Sequence, residues 1–152
     1  MKPFVFPLVA LHKIRLQQEE TEQQRLAEVT ARYQEALAAL EALQQRLTQL
    51  QQEFEAKKRS GALISLLTVF EAYQQELQGA LVRQAMTVNA LQAERQAALQ
   101  RAEAAMKDRK IVDKLKEKAF EAYAEAVLQE EQKTLDELAS AVVQRDQGSD
   151  ER

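Results

Sequence analysis

From Leu26 onward the apolar positions advance in strictly alternating steps of three and four residues: Leu26, Val29, Tyr33, Ala36, Leu40, Leu43, Leu47, Leu50 and Phe54. Such steps return to one face of a helix, and sustained over four heptads they predict a coiled coil. Upstream, Leu8, Leu11 and Ile14 mark one face, and Pro7 suits a first helical turn because the amide it lacks would have no partner there. Residues 17–25, QQEETEQQR, are polar all round. The cluster KKRSG at residues 57–61 predicts a helix end, with cations near the final carbonyls and a glycine able to reverse the chain.

A second series with the same alternation begins at once: Leu63, Leu67, Phe70, Gln74, Leu77, Leu81, Gln84, Val88, Leu91, Arg95, Ala98, Ala102, Ala105, Arg109 and Val112. Gln and Arg interrupt it, so its seam is weaker than the first. Helical spacing continues through Leu115, Ala119, Ala122 and Ala126 to Leu135, Leu138 and Val142. The predicted fold is all-α, a long two-helix antiparallel coiled-coil hairpin with an overhanging C-terminal helix. Its expected organisation is one domain over 1–146, with a helix at about 8–58, a turn at about 59–62, a helix at about 63–145 and a disordered tail at 147–152. A turn near Ser60 and Gly61 sets residue i opposite roughly 122 − i. Polar residues 17–24 then face the Ala-rich residues 98–105, where long side chains can lie over small ones without being buried. At ~1.5 Å per residue the helices are about 75 and 125 Å long, so the second overhangs.

Composition agrees and removes most chemistry. Of 152 residues only three are Gly and two are Pro, and both prolines lie in the first seven positions, which leaves too few turns for a sheet protein. There is no Cys and a single His, His12, in no metal-ligand spacing. The sequence has no phosphate-cradling Gly-rich loop, no nucleophile elbow and no run of ~18 apolar residues. The expectation is a soluble, non-enzymatic protein without catalytic residues, metal or cofactor. The start MKPFVFPLVALHKIR makes a poor secretory signal and reads as mature sequence, hence cytoplasmic. A net charge of −3 gives no general attraction to nucleic acid or anionic lipid.

Three features call for individual readings. The overhang, roughly residues 115–142, carries one stripe of Leu115, Ala119, Ala122 and Ala126 and a second of Phe120, Tyr123 and Val127. Either Phe4, Val5, Phe6 and Leu8 fold back on these residues as a hydrophobic clasp, or the stripe meets a partner. The mixed run KDRKIVDKLKEK reads as a solvated helix face rather than an anion site. His12 reads as an ordinary surface residue rather than a ligand or pH switch.

Phe4, Phe6, Leu8 and Leu11, the acidic Gln-rich QQEETEQQR, the polar turn, the restart FEAYQQELQGAL and the late EEQKTLDELA together resemble the FliJ family of the bacterial flagellar type III export apparatus. The resemblance spans essentially the whole chain. It implies a two-helix coiled coil similar to the central stalk of rotary ATPases, peripheral at the inner face of the cell membrane through the export apparatus. Its implied partners are the export ATPase hexamer, the cytoplasmic domain of the export gate protein and export chaperones, with no nucleic acid and no direct membrane insertion. The end bearing the termini would enter the ATPase ring, which assigns Phe120, Tyr123 and Val127 to that contact. The gate patch near the turn maps to Tyr73, Leu77, Ala80 and Gln84, and less directly to Leu43, Leu47, Leu50 and Phe54. Several of these are seam positions, so Leu43, Leu47 and Leu50 are favoured as core, and Tyr73 and Ala80 as contacts. An injectisome stalk is a close variant; a passive tether or substrate-holding chaperone is the reading from a different class.

Overall fold

The computed structural model describes residues 2–150. They form two long helices, α1 (Val9–Arg59) and α2 (Ile64–Asp150), and no strand among the described residues. α1 opens just after Pro7, with the Val9 amide on the Phe6 carbonyl at 3.3 Å and the His12 amide on the Leu8 carbonyl at 2.9 Å. It ends with Lys57, Lys58 and Arg59 in its last turn.

Gly61, at φ 74°, closes the helix. The Ala62 amide reaches back to the Lys57 carbonyl at 3.1 Å and the Gly61 amide to the Lys58 carbonyl at 3.3 Å. This is the Schellman pattern, in which two otherwise unpaired carbonyls are satisfied by a residue in the left-handed region. The reversal expected at KKRSG therefore has a specific chemical cause.

The chain divides into two compact units, Met1–Gln18 with Met106–Arg152, and Glu19–Ala105. In the second unit, contacts pair the C-terminal part of α1 with the start of α2, and earlier residues of α1 with later ones of α2. Phe54 meets Phe70, Gln84 meets Ala36, and Arg32 meets Glu94. Val29, Ala36 and Leu50 are buried on α1, and Leu77, Val88, Ala98 and Ala102 on α2. Every seam position expected from Leu26 to Phe54 is buried or half-buried.

The second series departs at two places. Leu63 is 76% exposed because it sits in the turn, past the end of α1. Arg95 is exposed, with its guanidinium 5.5 Å from the centroid of the Tyr33 ring; its length and charge carry it over the aromatic face.

In the first unit, Val112 is 3% exposed and Phe6 6%. The part of α2 that lacks cover begins later than expected. Residues 119, 123, 124 and 127 are half-buried, whereas every residue from 128 to 150 is exposed. The cause is the N-terminal segment, whose Phe4 and Lys2 reach Phe120 and Tyr123. α2 also stays helical to Asp150, beyond the end expected near 145. Of the tail expected at 147–152, residues 151 and 152 lie outside the described residues.

Candidate partner surfaces

Two groups of side chains answer to the sequence-derived sites, one in each unit. In the second unit, Tyr73 is 38% exposed and has the Arg46 guanidinium 5.6 Å from its ring centroid. Contact with the Tyr73 side chain, and secondarily Glu53 at 3.7 Å, holds the Arg46 guanidinium above its already high ordinary pKa. Ala80, seven residues further along the same flank of α2, is half-buried.

The other residues mapped to the gate patch are bound up in interhelical packing. Leu77 is 7% exposed and Leu50 3%; both belong to the core. Leu43 and Leu47 are half-buried seam residues. Gln84 donates its side-chain amide to the Ala36 carbonyl at 2.9 Å, a polar tie inside the seam. Phe54 packs on Phe70 with centroids 5.9 Å apart, and the Lys58 ammonium lies 4.2 Å from its centroid. Of the mapped residues Tyr73 alone is exposed, and Ala80 is half-buried on the same flank.

In the first unit the Phe4 ring meets Phe120 edge-on, with centroids 5.3 Å apart at 84°, and lies tilted against Tyr123 at 5.4 Å. The Tyr123 hydroxyl donates to the Lys2 carbonyl at 2.6 Å. This is a clasp, but a partial one: Phe120 remains 52% exposed and Val5 74%. Val127 is half-buried.

His12 is where sequence reasoning missed a contact. Its Nε2 donates to Asp113 Oδ1 at 2.6 Å, and Arg109 pairs with the other Asp113 oxygen. The His12 hydrogen bond, reinforced by Arg109, lowers the Asp113 pKa from its ordinary value. The acidic member lies in KDRKIVDKLKEK, which the sequence reads as a solvated face; only the pairing of helices reveals that two of its carboxylates have partners on α1, Asp113 with His12 and Asp108 with Arg15 at 3.6 Å.

Among the described residues no group of three or more His, Cys, Asp or Glu could hold a metal ion. Nor, among the described residues, is any helix long and apolar enough to cross a membrane. The concavities beside Phe4, His12 and Phe120 and along residues 129–144 are open grooves on helix surfaces.

No curated protein and no solved structure matches the chain significantly. The profile of the family described as "Flagellar FliJ protein" matches residues 4–148, which takes in both units and both candidate surfaces. A match over nearly the whole chain, on two long helices with this order of motifs, establishes that the chain belongs to the FliJ family.

Proposed function

We propose that this protein is a non-enzymatic component of the bacterial flagellar export apparatus, a stalk-like antiparallel coiled coil that couples ATP hydrolysis to protein export. The observation that carries the reading is the family match over residues 4–148. The late part of α2 contacts the export ATPase hexamer, with Phe120, Tyr123 and Val127 at the root of the contact. Tyr73 and Ala80 face the cytoplasmic domain of the export gate protein, and Phe54, Leu77 and Gln84 hold that flank in shape from within the seam. Export chaperones are further partners, and the protein works in the cytoplasm at the inner face of the membrane, attached through the apparatus.

Two features support the division of labour. Residues 128–150 are all exposed, and they include Leu128, Leu135, Leu138 and Val142 at 56–65% exposure, more apolar surface than a solvated helix requires. Phe120 keeps half of its surface free despite the clasp. The flagellar family description favours a flagellar over an injectisome setting.

The test is stimulation of ATP hydrolysis by a purified flagellar export ATPase. Phe120→Ala with Tyr123→Ala should reduce stimulation by more than it lowers the melting temperature. Deletion of residues 1–7, which removes the clasp, should lower the melting temperature yet keep most of the stimulation. If the deletion and the double variant lose the same stability and neither alters stimulation, the aromatics are packing only.

A further inference from the structure

The turn end of the second unit carries a cluster of cations. Between Ala56 and Phe70 there are three cations and no acidic residue, in a protein of net charge −3. Lys57, Lys58 and Arg59 are all exposed in the last turn of α1. α2 then begins without an acidic side chain in its first turn, so the positive end of its dipole adds to the same local field. Lys58 has Glu55 at 3.9 Å; this is the nearest acidic counterweight on its own helix.

Cations in a final turn also complement that helix's own carbonyl end, which is reason enough for three of them. It gives no reason for the apolar residues alongside. Leu63 is 76% exposed, Ile64 82% and Val69 64%, and Leu66 is 40% exposed. They do not all share a face: Leu66 and Val69, three residues apart, lie on the flank that carries Tyr73, and Ile64 does not. At ~100° per residue Ile64 and Leu66 project from nearly opposite sides of α2, with Leu63 at the tip. A protein groove that reads one face of a helix would cover one of them and leave the other in water. A lipid interface makes no such demand: a tip can sink its apolar side chains on all sides while adjacent cations meet the phosphates.

We propose that this tip docks on an anionic bilayer surface, with Leu63 and Ile64 entering the interfacial layer and Lys57, Lys58 and Arg59 on the headgroup phosphates. The attachment is peripheral; among the described residues no helix is long and apolar enough to cross a membrane. Net charge of the whole chain conceals the three cations of residues 56–70, which Glu55 and Glu71 flank. The proposal is independent of the ATPase and gate contacts.

The experiment is co-sedimentation of the full chain with vesicles of phosphatidylcholine, alone or with phosphatidylglycerol at about one lipid in three, a fraction chosen to give a strongly negative surface. Binding should require the anionic lipid and weaken as salt screens it. Replacing Lys57, Lys58 and Arg59 together by Gln should lower the partition coefficient by about a hundredfold, at about fivefold per surface cation. Leu63→Ser with Ile64→Ser should lower it by about tenfold or more, through lost apolar burial. Both variants alter exposed side chains, and circular dichroism should match the parent. As a control, Leu135→Ser with Leu138→Ser, also exposed but remote in sequence, should bind as the parent does.

Absence of binding, equal binding to both vesicle types, or tip variants that bind like the parent would overturn the proposal. So would a result in which the tip variants lose binding to an acidic protein partner while the parent ignores vesicles.

Discussion

Residues 26–54 and residues 128–142 carry the same kind of apolar spacing, yet they meet opposite fates. In the first stretch every seam residue is buried or half-buried, and Leu50 is 3% exposed. In the second, Leu128, Leu135, Leu138 and Val142 keep more than half of their surface in water. Helical periodicity therefore identifies which residues share a face, but it does not say whether the chain itself supplies the partner for that face. Where it does, the face is core; where it does not, the face is available to another molecule.

The sharpest way to break this comparison is to delete the same side chain in both places. Leu50→Ala should destabilise the protein by about 2–4 kcal/mol, the range for a buried Leu. Leu135→Ala should change stability by less than about 0.5 kcal/mol, as an exposed substitution does. Urea or thermal unfolding followed by circular dichroism measures both. Similar losses at the two sites would mean that residues 128–142 are covered in the isolated protein.

The two internal glycines sharpen the same contrast at the level of backbone. Gly61 holds a φ of 74° and has open space where a Cβ would stand, so Gly61→Ala should cost about 1 kcal/mol from conformation alone. Gly79 lies within α2, where an added Cβ would meet only the end of the Arg83 side chain at 3.3 Å. Gly79→Ala should therefore stabilise, by up to about 1 kcal/mol, through helix propensity. Opposite signs in one unfolding experiment are the expected result; equal signs would remove the Schellman turn as the cause.

How much of this was legible follows from what each residue depends on. The seam from Leu26 to Phe54 and the turn at Gly61 are local in origin, set by spacing and by backbone conformation, and both could be read. The exposure of Leu63 follows from the turn's position and could have been read as well. The His12 pairing with Asp113 could not, because neither residue's neighbours in sequence point to the other. The cover over Phe120 and Tyr123 was left open between clasp and partner; the Phe4 ring supplies the clasp and leaves room beside it. Leu77, mapped by family resemblance to a surface, lies in the core because its register position, rather than its place in a motif, decides its burial.

The smallest expected effect lies at Asp113, between His12 and Arg109. The Asp113 pKa is lowered in the folded protein, so its contribution is present above the unfolded value near ~3.9 and is lost as pH falls through the folded value. Both side chains are partly exposed, which keeps the contribution small. Asp113→Asn should lower the melting temperature by about 1–2 °C at neutral pH, and the difference from the parent should shrink as acid takes the pH below the unfolded value of ~3.9 and through the lowered folded one. A difference that persists in acid would assign the loss to packing instead of charge.

Hydrogen exchange, read peptide by peptide with and without the export ATPase hexamer, tests the central claim most directly. In the free protein, residues 26–54 should exchange slowly and residues 128–150 fast, since a helix without tertiary cover opens at little cost. On adding the hexamer, the account predicts new protection confined to the late part of α2, from about Phe120 through Val142, with residues 26–54 unchanged. Late residues that stay fast while the hexamer is bound, or protection that rises equally along both helices, would contradict it.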